Sequence, residues 1–119
     1  MSVFRLDTSA PLPIAVRITG NSATTIVDAT NNTLYVPWFQ VNETGGGTQN
    51  LTVDVYDGTN AVYQGSDGGF TANAKAVTAK TSYLFTQGLV IPKGSKLRVT
   101  SSDAAGNFHV AGIYVIVVI

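Results

Sequence analysis

Apolar and polar residues alternate with period two through most of this chain. Leu51-Thr52-Val53-Asp54-Val55-Tyr56 and Lys96-Leu97-Arg98-Val99-Thr100 are the cleanest runs. Successive side chains of an extended chain point to opposite sides, so such a run buries one face and wets the other. The pattern predicts a strand over residues 14–19, with Ile14, Val16 and Ile18 on one face and Ala15, Arg17 and Thr19 on the other. A short strand follows at 24–28. A longer one at 33–42 places Leu34, Val36, Trp38 and Gln40 on one face and Tyr35, Phe39 and Val41 on the other. Pro37 interrupts it without an N–H to donate, which points to an edge strand or a bulge. Further strands are predicted at 50–56, 61–64, 82–85, 89–91, 97–101 and 108–119. In the last, Gly112 suggests a bulge. From Ile113 onward that strand is apolar on both faces, which predicts a central, doubly covered position.

The punctuation between these runs is turn chemistry. Gly20-Asn21-Ser22, Asn31-Asn32, Gly45-Gly46-Gly47, Gln87-Gly88 and Pro92-Lys93-Gly94 each separate two strands, and Asp57-Gly58 is the strongest hairpin signal. Residues 65–69 and 102–107 read as loops. The ambiguous stretch is 70–80. Ala72, Ala74, Ala76 and Ala79 suit a short helix, while Thr71, Val77 and Thr78 favour extended structure, which is the preferred reading. Turn signals every 8–12 residues between eight to nine short strands predict an all-β chain, an antiparallel β-sandwich or jelly roll. Pro11 and Pro13 keep the first residues extended. The expected organisation is an N-terminal arm at 1–13 and a single sandwich domain at 14–119.

Composition narrows the function. A chain of 119 residues, 45% apolar, fills one core. Seven Lys or Arg balance seven Asp or Glu, so there is no overall charge to draw nucleic acid or an anionic membrane. The balance is uneven along the chain. Asp7, Asp28, Glu43, Asp54 and Asp57 outweigh Arg5 and Arg17 in residues 1–60. Lys75, Lys80, Lys93, Lys96 and Arg98 outweigh Asp67 and Asp103 in residues 61–119. The halves carry −3 and +3. Either the surface is simply mixed, or acidic and basic faces of neighbouring protomers meet in a symmetric assembly. Cysteine is absent, which removes disulfides and thiolate chemistry. The longest apolar run, residues 113–119, is far short of the roughly 20 residues of a membrane helix. The opening residues lack a signal-peptide pattern, so synthesis in the cytoplasm is expected.

Catalytic constellations are hard to assemble. His109 is the one histidine, set between Phe108 and Val110, with Ser102 and Asp103 across a loop and in no triad arrangement. Asp54 and Asp57 could contribute oxygens to a Ca²⁺ loop, but the other ligands are missing and a hairpin turn accounts for them. Neither glycine cluster is followed by the Lys and helix of a phosphate loop. The aromatic set Tyr35, Trp38, Phe39, Tyr56 and Tyr63 lies in a stretch with no Lys or Arg from 18 to 74, which disfavours single-stranded nucleic acid. Core and interface packing suits these rings better, with sugar contact as the alternative. The expectation is a non-enzyme without catalytic residues, cofactor or metal.

One resemblance sharpens this. Gly20 then Thr24-Thr25-Ile26-Val27, the Asn31-Asn32 turn, and Val41-Asn42-Glu43-Thr44-Gly45-Gly46 follow in order. Leu51–Gly58, the run from Leu89-Val90-Ile91-Pro92-Lys93-Gly94 to Ser101, and Gly106-Asn107-Phe108-His109-Val110 complete the set. From about residue 14 onward the chain resembles the small all-β virion proteins of tailed bacteriophages. It departs from them at Pro37-Trp38 and at 65–80. The resemblance implies a structural virion protein, foremost a capsid cement or decoration subunit on the capsid surface. Its partner would be the major capsid protein of the same particle, and it would itself form a homotrimer, with no role for nucleic acid or membrane. A tail, fibre or baseplate component is the alternative, and a carbohydrate-binding module a third reading. Candidate partner contacts are Phe4, Arg5 and Leu12 of the arm, with Pro37, Trp38 and Phe39.

Overall fold

The computed structural model describes residues 5–45, 49–62, 75–77, 80–86, 88–101 and 106–118, and every regular element among them is a strand. β1 (Arg5–Thr19) pairs with β10 (Asn107–Val118), and β2 (Thr24–Asp28) pairs with β9 (Lys96–Ser101). β3 (Leu34–Glu43) takes β7 (Ser82–Phe85) and β8 (Leu89–Ile91) end to end along one side. β4 (Gln49–Tyr56) takes β5 (Ala61–Val62) and β6 (Lys75–Val77) in the same way. All pairs are antiparallel. Contacts of β10 with β3 and of β9 with β4 complete two five-stranded sheets. Sheet A holds β1, β10, β3, β7 and β8, and sheet B holds β2, β9, β4, β5 and β6. Because two lanes are each shared by two short strands, ten strands fill eight lanes.

The predicted antiparallel β-sandwich is thus the architecture, and its pairing is nested. The first strand meets the last, the second meets the next to last, and so on inward to the hairpin of β4 and β5. One long hairpin has been rolled into two facing sheets, the order of a jelly roll.

The period-two runs supply the core directly. Leu51, Val53 and Val55 of β4 and Leu97 and Val99 of β9 point inward, where they meet Ile18, Val41, Ile91 and Phe108 from sheet A, all essentially without solvent contact. Phe39 and Phe85 stack at 5.0 Å between ring centroids. Each such side chain contributes about 1.5–3 kcal/mol through burial. β10 lies between β1 and β3, as its two-sided apolar sequence requires.

β3 departs from the predicted faces. Tyr35 is in register with Val115 and Trp38 with Ile113, so three steps along β3 match two along β10. The extra residue is a bulge at Pro37, inside a central strand and not at an edge. It reverses the parity of the strand. Leu34 and Val36 face the core before it, Phe39 and Val41 after it, and Trp38 is turned outward. Gly112, predicted as the bulge, lies beyond it in unbroken register with Ile14 and Phe39. It is glycine for another reason: a Cβ there would sit 2.6 Å from the Trp38 carbonyl oxygen and 2.8 Å from the Phe39 Cβ.

Residues 5–13, expected as an arm, are extended but belong to β1. Arg5 is in register with Val118 and Asp7 with Ile116; then five steps along β1, to Leu12, match two along β10, to Tyr114. No boundary separates residue 13 from residue 14 in the sheet. β1 is an edge strand, where Pro11 and Pro13 are tolerated. Within the ambiguous stretch, Lys75–Val77 is strand β6 and Lys80 adopts φ 53°; residues 63–74 and 78–79, which include the loop at 65–69, lie outside the described residues.

Candidate interaction surface

Three cross-strand rows lie on the outer face of sheet A, with the Tyr35–Val90 pair beyond the bulge. Arg17, His109, Asn42 and Ser82 form the first, and Ala15, Ala111, Gln40 and Leu84 the second. Pro13, Ile113 and Trp38 form the third. Arg17 is the one charged side chain in these rows apart from the titratable His109. The polar row is tied laterally: Asn42 Nδ2 donates to the His109 carbonyl (3.1 Å), and the Ser82 hydroxyl donates to Asn42 Oδ1 (2.6 Å). The other end of the face is apolar. Pro37, Trp38, Leu84 and Thr86 border an open groove of about 470 Å³. Leu84 is 52% exposed, Val90 of β8 49% and Trp38 36%.

The outer face of sheet B has a different character. Asp54 and Arg98 stand opposite one another in β4 and β9 and form a two-pronged ion pair, Nε to Oδ1 at 2.9 Å and Nη2 to Oδ2 at 3.0 Å. The guanidinium also lies 3.9 Å from the centroid of the Tyr56 ring. Asp54 is buried by these neighbours. At the far end of β3, the buried Glu43 carboxylate accepts N–H groups from Gly45 (2.8 Å) and Lys80 (3.2 Å). The tip of the β4–β5 hairpin is closed by Asp57, whose Oδ1 accepts from Asn60 N (2.7 Å) and Thr59 N (2.8 Å). Those two backbone donors lower its carboxyl below the ordinary value of 3.8.

Nested pairing also brings some charges of the two halves together. It lays strands of the first half against strands of the second, and two acidic residues come opposite basic ones inside one protomer. Asp54 with Arg98 is the bonded case, and Asp28 stands in register with Lys96.

The residues expected to contact a partner are scattered by this geometry. Pro37 and Trp38 share the apolar groove of sheet A. Leu12 is exposed beside Tyr114 in a separate depression. Arg5 opens β1, and Phe4 lies outside the described residues. Phe39 must be corrected: the bulge turns it fully into the core against Phe85, where no partner reaches it. Leu84 and Val90 were missed. The signal for them was present, because Phe85 inward, and Leu89 with Ile91 inward, oblige Leu84 and Val90 to face out.

His109 is exposed on the polar row next to Arg17, and the Ser102 and Asp103 weighed with it lie outside the described residues. Asp54 is committed to Arg98 and Asp57 to its own turn, so neither is free for a calcium loop. Among the described residues no three His, Cys, Asp or Glu side chains come together as a metal site. Compared with protein-family models and with curated proteins, the chain matches none.

Proposed function

We propose that this protein is a structural virion protein, a cement or decoration subunit that docks on a phage capsid by the outer face of sheet A. The observation that carries this reading is the unequal finish of the two faces. Sheet B pairs Asp54 with Arg98 on its outer face, whereas sheet A leaves Trp38, Leu84 and Val90 in solvent among rows whose charged side chain is Arg17. Apolar area of this kind returns about 25 cal/mol per Å² when covered. A binding surface of about 1,600 Å², shared between the major capsid protein and neighbouring copies of a trimer, is the size class of a stable contact. Aromatic residues and a low density of charge are what the centre of such a contact favours. The resemblance of its turn and strand motifs to those of phage virion proteins supports the same reading.

The test is binding to purified empty capsids, with copies per particle counted by quantitative mass spectrometry and the free protein sized by light scattering. The expected result is a trimer bound at hundreds of copies per shell, with binding lost in the Trp38→Ser, Leu84→Ser variant. A handful of copies confined to tail fractions would move the protein to the tail. A monomer that ignores capsids would overturn the reading altogether.

A further inference from the structure

We propose a second site, a saccharide-binding hollow at the turn between β2 and β3. Its volume is about 150 Å³ and one side is open, a size class that suits a single sugar ring and not a larger ligand. The exposed lining is more polar than apolar; its apolar part lies at the bottom, where the half-buried Tyr114 and Ile116 pack on the core over the buried Leu34. Leu12, 38% exposed on the facing edge strand, forms a wall. The rim is polar and comes from Asp28, Asn31 and Asn32.

The polar groups are held and yet unspent. Asp28 Oδ1 accepts both the backbone N–H (3.0 Å) and the hydroxyl of Thr30, which fixes the carboxylate on the turn. Asp28 Oδ2 and the side-chain amides of Asn31 and Asn32 have no protein partner among the described residues. A carboxylate oxygen and two amides around an apolar floor offer acceptors and donors to neighbouring hydroxyls, while the floor takes the C–H face of the ring. Other ligand classes fit less well. A single carboxylate is too few oxygens for a hard cation and repels an anion, and an apolar peptide would leave the amides and Oδ2 desolvated without partners. A neutral sugar satisfies rim and floor together. This inference stands apart from the capsid reading, since it uses a different depression from the one beside Trp38.

The experiment is a titration of ¹⁵N-labelled protein with glucose, galactose, mannose, N-acetylglucosamine and their short oligomers, followed by saturation-transfer and amide-shift NMR. Expected are shifts confined to Leu12, Asp28, Asn31–Leu34 and Tyr114–Ile116. Asp28→Ala should weaken binding about tenfold or more, as should Asn31→Ala with Asn32→Ala, and Tyr114→Phe should retain most of it. Shift mapping on the unaltered protein decides the matter even if a variant folds poorly. Three results would overturn the site: no neutral sugar bound, shifts centred on Trp38, or tighter binding of acidic sugars than of neutral ones.

Discussion

The two outer faces of the sandwich are built from the same kind of strand and finished in opposite ways. On sheet B, a carboxylate, a guanidinium and a phenol ring satisfy one another, and Asp54 is buried as a result. On sheet A, the hydrogen-bonded row of Asn42 and Ser82 stops halfway and gives over to Leu84 and Trp38. A face whose strong groups are mutually paired gains little from a partner. One with apolar side chains in water gains from being covered. The difference assigns stability to one side and association to the other, and each assignment is open to attack.

The largest effect is expected on sheet B. Asp54→Ala leaves Arg98 without its carboxylate and should cost about 3 kcal/mol by urea unfolding, the low end for a buried pair because Arg98 retains some exposure. Replacing both by Leu and Met should recover most of that loss. The proposed capsid binding should survive either change, and a loss of binding by the folded double variant would overturn the assignment of docking to sheet A alone.

Next comes the support of the bulge. Gly112→Ala drives a methyl against the backbone of Trp38 and Phe39 and should cost about 1–3 kcal/mol. Trp38 is the one tryptophan, so its fluorescence reads the displacement directly. An unchanged melting temperature and spectrum would show that the bulge does not depend on this close approach.

Leu84→Ser with Val90→Ser should leave stability within about 0.5 kcal/mol, as exposed positions do, yet weaken association with shells measured by sedimentation. The reverse outcome would make these residues part of the folding core and erase the contrast between the faces.

The smallest effect concerns the hairpin tip. The carboxyl of Asp57 is lowered by its two backbone bonds, so its contribution is complete above the ordinary value of 3.8 and is lost as pH falls through the lowered one. Asp57→Asn should therefore shift the urea midpoint slightly near pH ~7 and hardly at all near pH ~2. An equal shift at both would show that the turn depends on geometry alone.

How much of this was readable beforehand depends on the range of the interaction. Period-two runs and Asn, Gly and Pro turns are local, and the sandwich with its strand positions followed from them. Turn recognition also found the Asp57-Gly58 hairpin. The exchange of Trp38 and Phe39 is not local. It depends on where one extra residue is placed against β10, and Pro37 indicated a bulge without saying which neighbour it would send outward. The pairing of residues 5–13 was hidden for the same reason, since nothing within them shows that β10 lies waiting to pair with them. The charge split was visible as a number, but that Asp54 meets Arg98 required knowing that the halves are zipped together.

That zipped arrangement also imposes a history on the molecule. β4 and β5 are joined by the four residues Asp57–Asn60 and meet at little entropic cost, whereas β1 and β10 are nearly the whole chain apart. Closing the inner hairpin shortens the effective loop for the next pair, so assembly is expected to run outward from Asp57-Gly58, slowly, as suits a chain dominated by distant pairings. Mutational φ-values close to one at the hairpin and close to zero in β1 would be its kinetic signature, and the opposite gradient would refute it. The surface around Trp38 depends on β3, β7 and β10 together, so it comes into being only late in folding. Until then the chain has no finished outer face on sheet A.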